Sequence, residues 1–205
     1  ASLTMLLMAI YMMGINRLIA GYGTDTVAAL GLVTRIDSAV IIPMVAFSVA
    51  LLTLSALFYG AGRIQLLREI INFAILVNVG FALICSLFIF IWPHFFLRFF
   101  TDESEPLRLA ASYLRLEIFS FPFMAITISA NRTLQGLGLS LPGLAINGAR
   151  LFVVALPLAA IFVIYLECDF RMVAIAGLCG SLTSASIASF WLKKTLARIE
   201  YSDIP

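Results

Sequence analysis

Of the 205 residues, 62% are hydrophobic and 12% charged, with mean hydropathy +1.08; a soluble domain carries about twice that share of charge, so the apolar excess cannot be the core of a globular protein. A formal net charge of +2 offers no footprint for nucleic acid. The three cysteines, Cys85, Cys168 and Cys179, lack paired or metal-ligand spacing, which predicts neither a disulfide framework nor a metal site.

A bilayer span takes about 20 mostly apolar residues, and six such stretches follow one another here, separated by short polar breaks. The first runs from Ala1 to about Leu18; it starts without a methionine or a helix cap, and reads as the remainder of a longer helix within a longer protein. It lacks the basic segment and small-residue cleavage site of a signal peptide. Gly21, Gly23, Thr24 and Asp25 form a turn and cap. The second span covers about 26–58, long enough to cross the bilayer and protrude, and Gly60-Ala61-Gly62-Arg63 ends it. The third, about 66–92, stops at Pro93. Residues 93–100, Pro-His-Phe-Phe-Leu-Arg-Phe-Phe, read as a short interfacial segment, with His94 at the headgroups rather than carrying protons; Trp92 and Trp191 fit interfacial aromatic belts. The fourth span begins near Pro106 and runs to Leu134, the fifth covers Pro142 to about Leu166, and the sixth Met172 to about Leu196. Irregular backbone cannot face lipid. The expected fold is therefore all-α: a polytopic bundle of six transmembrane helices, one unit over residues 1–205.

Six spans put both ends on one side. Taking that side as cytoplasmic leaves Arg63, Arg68, Arg132, Lys193, Lys194 and Arg198 inside, against Arg17, Arg98, Arg108 and Arg171 outside, a positive-inside bias. The outer loops also hold Asp102 and other acids. Five ionisable residues fall within spans: Arg35 and Asp37, Arg115 and Glu117, and Arg150. Such residues usually face partners or a watery cavity. Counted from the inner ends, the first four lie near the outer boundary. Two readings stand for them: cross-bundle pairing of Arg35 with Glu117 and Asp37 with Arg115, or snorkelling of each charge to the headgroups. Asn131 and Arg132 on the fourth span, with Asn147 and Arg150 on the fifth, sit near the inner ends, where interhelical glue is favoured over ligand contact. Pro43, Pro122 and Pro157 predict kinks or hinges in the second, fourth and fifth spans. Arg35-Ile36-Asp37 before Pro43 and Arg115-Leu116-Glu117 before Pro122 form a loose internal echo. No phosphate loop, zinc spacing or nucleophile motif is present, which argues against an enzyme.

Several segments, taken in order, resemble the multidrug and toxic compound extrusion (MATE) transporters. They are Tyr22-Gly23-Thr24-Asp25-Thr26-Val27-Ala28-Ala29-Leu30-Gly31 with Thr34-Arg35-Ile36-Asp37, the Gly60-Ala61-Gly62-Arg63 turn, Phe99-Phe100-Thr101-Asp102 followed by Ala111-Ser112-Tyr113-Leu114-Arg115, and Leu134-Gln135-Gly136-Leu137-Gly138. The resemblance implies one lobe, by its basic tail the C-terminal one, of a two-lobed, inverted V-shaped transporter. Its partners would be a missing N-terminal six-helix lobe, membrane lipid and a small cationic or amphipathic substrate. The implied activity is secondary antiport: export of drugs or metabolites in exchange for protons or sodium ions, by alternating access, across the plasma (inner) membrane, with no cofactor. Two departures matter. Leu57 stands where the family often has glutamine, and Phe121-Pro122-Phe123-Met124-Ala125 replaces a stretch that in some branches holds a carboxylate. The resemblance therefore implies that the coupling site lies in the missing lobe, with Glu117 a poor substitute. Candidate substrate contacts are Met12, Met13 and Asn16 on the first span, and Phe121, Phe123 and Met124 around the fourth-span kink, where thioethers and rings suit flat or cationic ligands; ordinary packing is the alternative for each. The rival functions are a lipid-linked oligosaccharide flippase of the same superfamily and a non-transporting membrane scaffold subunit.

Overall fold

The computed structural model describes residues 2–101 and 103–202, with side chains described over 6–199 apart from 102. Ala1 and Asp102 lie outside the described residues. Among those described, every regular element is helical. Helix α1 (Ser2–Ile19) passes through a 3-10 turn at Ala20–Tyr22 into α2 (Thr24–Gly60), followed by α3 (Ile64–Ile91) and the short α4 (Pro93–Arg98). The fourth span is α5 (Ser104–Glu117) and α6 (Phe121–Gly136), joined by a 3-10 turn at Ile118–Ser120. The fifth alternates in winding: α7 (Leu141–Gly148), a π-helical stretch Ala149–Ala155, α8 (Leu156–Ala160) and a second π stretch Ile161–Tyr165. Helix α9 (Met172–Ser202) closes the bundle.

Five of these units are long and apolar enough to cross a membrane, and a shorter apolar helix over Leu6–Tyr22 packs with them. The outward faces explain the composition. On α3, Phe73 is 62% and Leu76 70% exposed; such a face is stable against acyl chains, whereas a soluble monomer rarely exposes an apolar patch of this kind.

Glycine sets the two turns on the Gly62 side of the bundle. Arg63 N–H donates to Phe58 O and Gly62 N–H to Tyr59 O, and the pattern repeats with Leu139 to Leu134 and Gly138 to Gln135. Both are Schellman caps, which require a left-handed residue after the helix. Gly62 (φ 69°) and Gly138 (φ 81°) supply it. At the opposite end, the Tyr22 hydroxyl donates to Cys168 O, latching the first turn to the loop before α9. In the same region Tyr113 stacks on Phe170 at 6.0 Å.

The three prolines act differently. Helix α2 runs unbroken through Pro43. Pro122 has no N–H for Ile118 O, and that carbonyl instead accepts from Phe121 N–H in a 3-10 turn and from Ser86 Oγ at 3.0 Å. Pro157 lies between the two π stretches, where local looser winding takes up the missing donor; Leu156 N–H, for example, bonds to Leu151 O, five residues back.

The core divides into two apolar clusters. One, toward the Tyr22–Cys168 end, is built around Val33, Met44, Leu114 and Phe121; the other, toward the glycine turns, around Leu51, Leu67, Leu134 and Ile146. Between them lies a polar layer. Buried Asn78 donates to Ser48 Oγ at 2.8 Å and Ser129 Oγ at 2.9 Å, and Thr127 Oγ1 bonds Ser184 Oγ at 3.1 Å. These bonds join α2, α3, α6 and α9, using small polar residues where helices approach closely. Among the glycines, the tightest site is Gly136: a Cβ there would lie 2.5 Å from Leu52 O on α2.

Candidate functional site

The charged residues within the spans do not pair as the cross-bundle scheme expected. Arg35 is exposed, with its guanidinium 5.5 Å from the Phe100 ring centroid, at the edge of a cavity of about 320 Å³ that also touches Gly31, Thr101 and Glu103. Arg115 is exposed as well. Asp37 and Glu117 lie instead within electrostatic reach of Arg150, with no hydrogen bond to it among the described residues. Asp37 and Glu117 are also within electrostatic reach of one another.

The local structure explains the convergence. Asp37 follows Thr24 by the same interval as Glu117 follows Ser104, so at 1.5 Å per residue each carboxylate sits about 20 Å below the start of its helix. Arg150 lies near the start of the first π stretch, about 22 Å from the Tyr165 end of its span. From the Leu141 end it is about 14 Å, so Arg150 stands near mid-span, within electrostatic reach of the two carboxyl groups. Helix α2, at 37 residues, is about 56 Å long and exceeds the thickness of a bilayer. The backbone of α9 holds Arg150 from behind: a Cβ at Gly180 would meet Arg150 O at 3.2 Å and Arg150 Cγ at 3.4 Å.

Two tyrosines complete the cluster, and neither was a candidate from sequence. Tyr11 on α1 interacts with Arg150 and Glu117; buried Tyr113 interacts with Glu117, Tyr11 and Asp37. The available signal was the spacing of Tyr113 and Glu117, four apart on one face of α5. Asp37 Oδ1 and Glu117 Oε2 are shielded from solvent, and neither has a hydrogen-bond partner among the described residues. Two buried carboxyl groups near one guanidinium form an acceptor-rich cluster that can take up a proton. No group of three or more metal-ligating side chains occurs among the described residues.

The other candidates are dispersed. Met13 (73% exposed) and Asn16 share an open face of α1, and Met12 is half-buried. Phe121 is 1% exposed and belongs to the core, so its ring is packing rather than accessible surface. Phe123 and Met124 are half-buried, with Ser120 Oγ 3.8 Å from Met124 Sδ. Asn131 is buried and its Oδ1 has no partner among the described residues.

With this geometry in place, comparison with known proteins is decisive for ancestry. The MatE family's sequence profile matches residues 1–161. The chain belongs to the MatE family. It is 24% identical over 169 residues to the probable multidrug resistance protein YoeA of Bacillus subtilis (strain 168), covering 82% of this chain and 36% of that protein. It is 25% identical over 146 residues to the probable multidrug resistance protein NorM of Thermotoga maritima, covering 71% and 31%. Among solved structures, it superposes on the outward-facing conformation of a multidrug resistance MATE family transporter with TM-score 0.90 and 23% identity, covering 98% of this chain and 45% of the other. For the Vibrio cholerae MATE transporter VcmN in its bent form the values are 0.89 and 23%, covering 97% and 45%. The MatE chain thus spans about a third of the curated relatives and under half of the solved transporters, and it carries the fold of one lobe. It is an integral membrane protein of a family of transporters, not of enzymes.

Proposed function

We propose that this chain forms one lobe of a secondary antiporter that exports cationic or amphipathic small molecules in exchange for protons or sodium ions. The Asp37–Glu117–Arg150 cluster would be where this lobe responds to the coupling cation. The carrying observation is two solvent-shielded carboxyl groups, each with an oxygen lacking a hydrogen-bond partner among the described residues, within electrostatic reach of a single guanidinium inside the bundle. The sequence reading assigned coupling to the other lobe; the converged carboxylates argue that this lobe takes part. Neutralising them by a proton or a cation changes the charge set against Arg150, and that change gives the bundle two charge states between which a rocking lobe can alternate. The partner is a second six-helix lobe, with the substrate between the two. Both ends of this chain lie in the cytoplasm, beside Arg63, Arg132, Lys193 and Lys194.

The flippase reading needs a strongly cationic cavity for pyrophosphate, and here the arginine of the cluster is outnumbered by carboxylates. In proteoliposomes containing the complete transporter, an imposed proton or sodium gradient should drive export of a fluorescent cation. The D37N/E117Q double variant should lose at least about tenfold of that gradient-driven rate, the scale on which supporting groups of ion sites act, while still binding the dye. Undiminished gradient-driven transport by the double variant would refute the proposal.

A further inference from the structure

The end of α3 carries a surface that the cluster does not use. Trp92, before a proline, is held out of helical geometry at φ −124° and ψ 52°, and the chain restarts as α4 with Pro93 in its first turn. Pro93 and Leu97 are buried and dock α4 on the bundle. The opposite face presents His94, Phe95, Arg98 and Phe99, which line an open recess of about 340 Å³. Phe95 and Phe99 are 61% and 74% exposed, with rings edge to face at 5.4 Å; Phe95 also meets Phe96 edge-on at 5.6 Å.

Three facts identify the occupant. The helix lies where a bilayer span ends, beside exposed Trp92, at the level where aromatic side chains meet headgroups. The recess brings together a guanidinium and an imidazole one helical turn apart, and a guanidinium matches the oxygens of a phosphate in bidentate fashion. Its floor is two exposed phenyl rings, which a free anion has no use for but which acyl chains and glycerol cover favourably. We propose that His94 and Arg98 bind the phosphate of an anionic phospholipid whose acyl chains lie along Phe95 and Phe99. The site clamps α4, and with it the α3–α5 connection, to the membrane surface.

The test uses the complete transporter purified from mixed phosphatidylglycerol and phosphatidylcholine vesicles, with retained lipid counted by native mass spectrometry. Wild type should retain phosphatidylglycerol in preference to phosphatidylcholine. H94A/R98A should lose about fivefold or more of that preference, R98A alone about fivefold, the effect of one basic residue at an anionic surface, and R98K should keep most of it. These side chains lie outside the core, so the variants should elute as monodispersely as wild type. Equal retention of the two lipids by wild type, or an undiminished preference in H94A/R98A, would overturn the proposal. So would displacement of the lipid by millimolar inorganic phosphate alone, which would mark a free-anion site.

Discussion

Replacing Gly136 with alanine should separate α6 from α2. The added Cβ would stand 2.5 Å from Leu52 O, 2.9 Å from Ser55 Cβ and 3.3 Å from Ala56 N. Two of those atoms are backbone, so no rotamer change relieves the clash. Ordinary contact begins near 3.4 Å, and the helices must part by about 0.9 Å to reach it. Overpacking of this kind costs about 1–3 kcal/mol. The same seam carries Ser48 and Ser129, about 6–10 Å further along the axes, and parting the helices stretches their bonds to Asn78 from 2.8 and 2.9 Å. At about 0.6 kcal/mol for each such bond in a bilayer, the total comes to about 2–4 kcal/mol. Gly80→Ala is the control: nothing lies within 4 Å of a Cβ there, and alanine is preferred in a helix by about 0.5–1 kcal/mol. The assay is the heat-induced loss of the monodisperse peak of the complete transporter in detergent. A Gly136→Ala midpoint at or above that of wild type, with Gly80→Ala behaving the same way, would refute the close-approach argument.

Asn78→Leu should lower the same midpoint by less, about 1–2 kcal/mol, and should cost nothing further in an S48A/S129A background, where its hydrogen-bond partners are already gone. In a C85A/C179A background, a membrane-impermeant maleimide should label Cys168 in intact cells; labelling only after permeabilisation would reverse the orientation of the bundle.

The helical spans were legible because an apolar run of bilayer length has few alternatives, and the described ends fall within a few residues of those read from Gly60-Ala61-Gly62, Pro93 and Gly136-Leu137-Gly138. What escaped was lateral placement. The Arg-x-acid echo at Arg35–Asp37 and Arg115–Glu117 was visible, but its meaning depends on which way each helix faces. Helix α5 presents Glu117 inward with Tyr113, leaving Arg115 outside. Arg150 could not be assigned a face by a 3.6-residue period, because its stretch is wound with five-residue hydrogen bonds. Asn78 was hidden for another reason: one amide in an apolar run carries no periodic signal, and only its two serine partners on other helices reveal its role.

The winding of the fifth span has a mechanical consequence. A π stretch holds more chain per turn than an α-helix of the same height. If such a stretch tightens to α winding while one end stays fixed, the slack passes along the axis. Each residue of slack turns the side chains beyond it by about 100°. Arg150 is the second residue of one of these stretches, and the fifth span's far end is tied by the Tyr22–Cys168 latch and its near end by the Gly138 turn. With both ends fastened, slack released by one π stretch can only be taken up by the other, and what turns is the α8 segment between them.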